Sequence, residues 1–253
     1  MKIGISMTIN NKKTQFGFTL IEMAMVLIIL GFLLSAVLLP LQAQRYVAAQ
    51  LKTEAILADA KWALIGFAQT HGRLPCPATN NGTAVFPDDT GTANPNASGA
   101  CFMQTGFLPG KTLGLQSLDA QGYALDAWQN RLRYAVTNVN SDAFTTSNGM
   151  NAIGVARLAP DLKVCATSSA SGCTDRINLI ENAVAVVFSL GATAHQASGG
   201  ADENQNLITP VNTTFISHTI TTAASTNGEF DHLVTWLSPY LLYNAMITAG
   251  QLH

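Results

Sequence analysis

Charge is scarce in this chain. Only 11% of its 253 residues are charged and the net charge is −2, too little positive charge for a protein that neutralises a phosphate backbone. The first 17 residues lack acids altogether, while holding Lys2, Lys12 and Lys13. No C-x-x-C pair occurs among the four cysteines, which excludes the usual zinc modules and thioredoxin-type redox pairs. The five histidines, His71, His195, His218, His232 and His253, form no H-E-x-x-H. A G-x-S-x-G elbow and a glycine-rich phosphate loop are also missing. No internal repeat is present. The sequence therefore names no catalytic residue, no metal site and no cofactor, and an enzyme is not expected. Low charge with abundant Ala, Thr, Asn, Ser and Gly instead reads as an exported or surface protein.

What the chain has is one long apolar run. From Met23 to Gln44 there is no charged residue, a length that crosses a bilayer as a helix at about 1.5 Å per residue. The lysines before it predict a cytoplasmic N-terminus and place everything after Arg45 across the membrane. A cleaved secretory signal would end in an A-x-A-like site. The run ends instead in "LLPLQAQRY", and the surroundings of Ala43 fit that pattern poorly. Glu22 lies at the edge of the run, where an unpaired carboxylate is costly.

The stretch "GFTLIE", Gly17 to Glu22, follows a short lysine-bearing leader and precedes about twenty apolar residues, a span suited to a membrane helix. It resembles the processing site of type IV pilins and of the pseudopilins of type II secretion. The resemblance implies that a prepilin peptidase removes residues 1–17 by cutting between Gly17 and Phe18, and that the new Phe18 amine is methylated. It implies that Glu22 meets the terminal amine of a neighbouring subunit during assembly, since opposite charges attract strongly where the dielectric is low and either alone is penalised. Gly17 leaves the backbone open to a tight peptidase cleft. Gly31 and Pro40 occupy the places of the family's helix-loosening glycine and proline, Pro40 one position later than in the commonest pattern. The implied partners are prepilin peptidase, other pilin or pseudopilin subunits, an inner-membrane assembly platform and membrane lipid. The implied location is the bacterial inner membrane, single-pass with a periplasmic head, and then the pilus or pseudopilus.

Beyond Pro40 the helical pattern continues. Leu51, Ala55, Ala58, Trp62 and Ile65 recur at spacings of four and three, with Ile56, Ala63 and Phe67 widening the stripe, so this face is expected to be covered. Gly72 supplies a stop, and Pro75 and Pro77 prevent continuation. A helix over 18–71, membrane-spanning at about 22–44, is therefore predicted, followed by a head over 72–253. Residues 72 to about 126 read as loops. Strands are predicted at "RLRYAVT" from Arg131, "AVAVVFSL" from Ala183, "TTFISHTIT" from Thr213 and "FDHLVTW" from Phe230. Ser238 and Pro239 open a short last helix, "YLLYNAMITA", that Gly250 ends. The fold class is α+β: a long N-terminal helix packed on a largely antiparallel sheet, pilin-like.

Two parts of the head resemble the major pseudopilin type. "DAWQNRLRY" from Asp126 is similar to its D-P-W-G-N segment, with Ala127 and Gln129 replacing the proline and the glycine. "SLGA" from Ser189, then "GGADENQN", then "FDHLVTW", is similar to its carboxy-terminal loop and last strand. That loop binds calcium in the major pseudopilins, and Asp202, Glu203, Asn204 and Asn206 are oxygen donors of the right kind. Their spacing fits no EF-hand, and a solvated turn is the favoured reading, so no metal site is assigned. Cys76, Cys101, Cys165 and Cys173 all fall in the exported region, where an even count in a loop-rich head predicts disulfides. Of the three pairings, Cys76 with Cys101 and Cys165 with Cys173 are favoured because each closes one local loop. A structural filament subunit, minor in role given its large head, is the leading functional reading. The alternative is a filament-displayed binding subunit for adhesion, DNA uptake or recognition of secreted substrates.

Overall fold

The computed structural model describes residues 17–79, 91–96, 99–168, 178–195, 199–209 and 211–253, with the side chains of 36–41 outside that set. The chain divides into two compact units, Met1–Val47 and Ala48–His253. One helix, α1, Leu20–His71, begins in the first and ends in the second. It continues unbroken through Gly31 and Pro40 and stops where Gly72 turns left-handed, φ 67°, and donates back to the Ala68 carbonyl at 2.9 Å. Glycine pays no Cβ penalty in that conformation, which is why the helix stops there.

In the first unit the described side chains of α1 are almost all exposed: Ile21, Leu27 and Phe32 are 67%, 64% and 72% accessible. The membrane span expected at about 22–44 is not supported by the structure. Among the described residues no helix is long and apolar enough to cross a membrane, and residues 36–41 of that span have no described side chains.

The second unit holds two sheets. The first has strand order β1-β2-β5-β7, formed by Thr105–Phe107, Arg133–Val136, Ala185–Ser189 and Leu233–Leu237, antiparallel throughout. The second has order β4-β3-β6, formed by Asn178–Ala183, Leu162–Cys165 and Thr214–Ile216, with β3 antiparallel to β4 and parallel to β6. Four short helices, α2 at Gly110–Leu113, α3 at Val139–Asp142, α4 at Gly149–Ile153 and α5 at Ala201–Asn206, lie in the connections, and α6, Pro239–Thr248, closes the unit. The architecture is α+β, a helix on antiparallel sheet, as the pattern of elements predicts. The strands predicted around Arg131, Ala183 and Phe230 appear as β2, β5 and β7. "TTFISHTIT" contributes only three residues to β6. The strands β1, β3 and β4 are not among the predicted ones.

The buried face of α1 differs from the predicted stripe. Thr53, Leu57, Ala60, Leu64 and Ala68 are buried, with Ile65 beside them, whereas Leu51 and Trp62 are 60% and 59% exposed. Leu57, Leu64 and Ala68 join Leu132, Tyr134, Val136, Phe144, Val184, Leu237, Leu242 and Met246 in the larger core. On the other face of the first sheet a smaller core of Ala135, Val186, Phe188, Leu162, Val164 and Phe215 joins the two sheets.

Candidate functional site

The N-terminal segment is built around a helix start. The Thr19 carbonyl accepts the first helical bond from Met23 N at 3.2 Å. Its hydroxyl accepts from Glu22 N at 3.3 Å, and the Glu22 carboxylate accepts from Thr19 N at 3.5 Å. This is a capping box, in which two orphan donors of the first turn are satisfied reciprocally. The sequence carries its signature, Thr-x-x-Glu before an apolar run, so a local role for Glu22 stands beside the assembly role that the resemblance implies. Phe18 is 77% exposed. A Cβ at Gly17 would meet nothing within 4 Å, so packing among the described residues does not demand glycine there.

In the second unit the first expected disulfide is present: Cys76 and Cys101 are bonded, 25 residues apart in sequence. Cys165 is also disulfide-bonded. Cys173, the partner favoured for it, lies outside the described residues.

The segment Asp126–Asn130 is held by a buried carboxylate. Asp126 accepts from Trp128 N and Asn130 N at 2.8 Å each and from Ser189 Oγ at 2.6 Å, while Asn130 Nδ2 reaches the Gly191 carbonyl at 2.7 Å. Within this turn Gln129 has φ 69°, a left-handed conformation that favours glycine.

The four oxygen donors considered for calcium do not converge. They lie on α5, and two of them face different partners. Asp202 accepts from Asn227 Nδ2 at 2.9 Å and from Ser168 N, and lies 3.2 Å from His218 Nε2. Burial pushes its carboxyl up, but the bonds from Ser168 and Asn227 together with nearby His218 outweigh this and hold it below the ordinary value. Asn206 is spent on the backbone of Ile216, accepting from its N at 2.6 Å and donating to its carbonyl at 3.0 Å.

Glu203 turns instead to the start of the last strand. Its carboxylate accepts from Asp231 N at 2.8 Å, and Asp231 in turn accepts from Thr193 N at 2.8 Å. Together Glu203, Asp231 and His232 offer three ligand atoms within 4.8 Å of one another, all from buried residues. Burial, helped by the negative charges of Asp231 and Glu229, pushes the Glu203 carboxyl up to about 7 against the bond from Asp231 N. Burial and then the Arg133 charge lower His232 to about 4, so it stays neutral. Near neutral pH the Glu203 carboxyl is therefore partly protonated, and in its ionised state it would face the cluster as a cation ligand. Gly191 is fixed by this cluster, since a Cβ there would stand 2.3 Å from Asp231 Oδ1 at φ 68°. In the sequence Asp231 is legible only as part of a strand, because its partners come from segments tens of residues away.

Residues 12–38 match the family model of the prokaryotic N-terminal methylation motif, the signature of type IV pilins and pseudopilins. The match covers Lys12 and Lys13, the Gly17–Phe18 step, the capping box and the first apolar turns. No curated protein and no solved structure matches the chain. The motif supports a subunit of the pilin or pseudopilin type.

Proposed function

We propose that the chain is a filament subunit, minor in role, of a type IV pilus or a type II secretion pseudopilus. Prepilin peptidase removes residues 1–17, Phe18 becomes the methylated N-terminus, and the apolar part of α1 carries the subunit in the bacterial inner membrane before it packs against other subunits. The lysines of the leader remain cytoplasmic and the head is periplasmic. The observation that carries this reading is the methylation motif over residues 12–38, which runs into a helix whose described apolar side chains in the first unit are almost all exposed. Exposed apolar surface on that scale calls for lipid or partner helices. Glycine at position 17 supports the same reading, because no contact among the described residues requires it. Coexpression with a prepilin peptidase tests the proposal. The mature chain should be shorter by residues 1–17 and begin at a methylated Phe18 by mass spectrometry, and it should enter sheared filaments. An intact leader, or a cut after Ala43, overturns it.

A further inference from the structure

The face of α1 turned away from the sheet carries a pattern of its own. Within the second unit it presents Leu51, Ala55, Ala58 and Trp62, all exposed. Their spacings of four, three and four are those of a coiled-coil seam, with Ala55 and Trp62 at a and Leu51 and Ala58 at d. At about 3.6 residues per turn this seam lies opposite the buried line of Thr53, Leu57, Ala60 and Leu64, so the head leaves it open to a second helix. Charges flank the seam on both sides. Lys52 and Asp59 stand at e, Glu54 and Lys61 at g, and of these only Lys61 is half-buried. None of the four has an opposite charge three or four residues away along the helix. Among the described residues the ion pairs are Arg131 with Asp119 and His218 with Asp202, so within them these flanking charges have no ionic partner.

We propose that this face docks on a second copy of the chain, with the two helices parallel and one displaced along the other by one heptad, about 10.5 Å. Charge and side-chain size choose that register. In a parallel pair a g residue meets the e residue of the following heptad on the partner helix. Without displacement Glu54 of each copy would meet Asp59 of the other, and Trp62 would meet Trp62. Like charges and like bulk would then coincide. A displacement of one heptad brings Glu54 of the second copy to Lys52 of the first, and its Lys61 to Asp59. The same shift sets Ala58 of the second copy beside Leu51 and its Trp62 beside Ala55, so each large side chain meets a small one. Two heptads would set Lys61 against Lys52. An antiparallel pair also joins opposite charges, but it stacks Leu51 on Trp62 and leaves Ala55 facing Ala58. Two copies held in one membrane with the same end cytoplasmic run parallel. The parallel orientation thus rests on the filament role. Exposed ion pairs are individually weak, so the contact sets the register of copies that the membrane already brings together.

Cross-linking tests the register. The full chain is coexpressed with a prepilin peptidase as two differently tagged forms, Leu51→Cys and Ala58→Cys, and oxidised in the membrane. A mixed dimer is expected, at a yield at least about threefold above two controls. Leu51→Cys in both forms reports an undisplaced pair, and Leu51→Cys with Trp62→Cys reports an antiparallel one. Lys52→Glu in both forms should lower the mixed dimer about threefold, and Glu54→Lys added to the same chains should restore it. In an antiparallel pair that swap would instead set like charges together on both edges. Every substituted side chain is exposed, so the fold of the head is not at stake. Leader removal is scored on the same gels. An intact leader overturns the filament role, while the cross-links formed in the membrane still decide the register. Absence of the mixed dimer, an equal yield from either control, or failure of Glu54→Lys to rescue Lys52→Glu each overturns the displaced pair.

Discussion

Thr19 and Glu22 hold each other across the first turn of α1, each side chain accepting from the other's backbone N–H, at 3.3 and 3.5 Å. Glu22 therefore has a role within its own chain before any neighbour arrives. A capping interaction needs an acceptor oxygen, which glutamine also has, whereas pairing with a terminal amine needs the charge. Glu22→Gln should keep the helix start, read by amide exchange at the first turn, and lose incorporation into filaments. Glu22→Ala should lose both, with processing intact. Normal filament incorporation of Glu22→Gln would assign the acid to capping alone.

The side of α1 that faces the sheet is hidden in the sequence for a physical reason. Alanine and leucine surround the helix from Ala48 to Ala68, so periodicity admits more than one stripe, and the one drawn through Leu51 and Trp62 is largely exposed. Terminal signals are clearer: Gly72 and Gly250 both take positive φ where helices end. Strands β2, β5 and β7 carry β-branched and aromatic residues and can be read locally. β1 is three residues long and β3 pairs in parallel with β6 across a long connection, relations that local composition does not encode. In the same way the capping box is local and readable, while Glu203, Asp231 and His232 meet only in the folded chain.

Side-chain truncation checks this orientation of α1 directly. Leu64 is fully buried and Trp62 is 59% exposed. Leu64→Ala should destabilise the second unit by about 3 kcal/mol through lost burial and a residual cavity, while Trp62→Ala should stay within about 0.5 kcal/mol. Denaturant unfolding followed by far-ultraviolet circular dichroism measures both, and a larger loss for Trp62→Ala would return the helix to the predicted stripe.

Gln129 stands at φ 69° in the turn that Asp126 organises, at the position where the similar segment of major pseudopilins has glycine. A side chain in the left-handed region costs about 1 kcal/mol or slightly more. Gln129→Gly should therefore raise stability by a few tenths of a kcal/mol, the relieved strain being partly offset by the added freedom of the unfolded chain, and Gln129→Val should lower it. Thermal midpoints of the two variants give the sign.

The Cys76–Cys101 bond closes a loop over a separation of 25 residues. Constraining the unfolded chain to that extent is worth about 3 kcal/mol. The double variant Cys76→Ser, Cys101→Ser should lose about that much, by denaturant titration under non-reducing conditions. Native, unreduced protein should react with no thiol reagent at either position, and labelling of Cys76 would remove the bond from the account.

Glu203 and His232 give the head opposing responses to pH. The Glu203 carboxyl, ordinarily near 4.5, is raised to about 7 by burial and by Asp231 and Glu229. The folded state therefore holds a proton that the unfolded chain has released. Its stabilising effect is complete below about 4.5 and is lost as pH rises through about 7. His232 is lowered from 6.5 to about 4 by burial and by Arg133, so the unfolded chain takes up a proton first and stability falls as pH drops below 6.5. Between pH 5 and 6.5 the two slopes oppose each other, and wild-type stability should be nearly flat. Glu203→Gln removes one of them. Relative to wild type it should gain about 2 kcal/mol between pH 5 and pH 8, because a tenfold difference in proton affinity between the folded and unfolded chains is worth about 1.4 kcal/mol. Its own stability should climb steeply from pH 5 to 6.5 as His232 acts alone. Denaturant midpoints for both proteins across that range, with a chelator present to keep cations off the carboxylates, provide the comparison. Parallel curves for wild type and variant would mean that Glu203 is ionised throughout and that the cluster is a standing pair of charges.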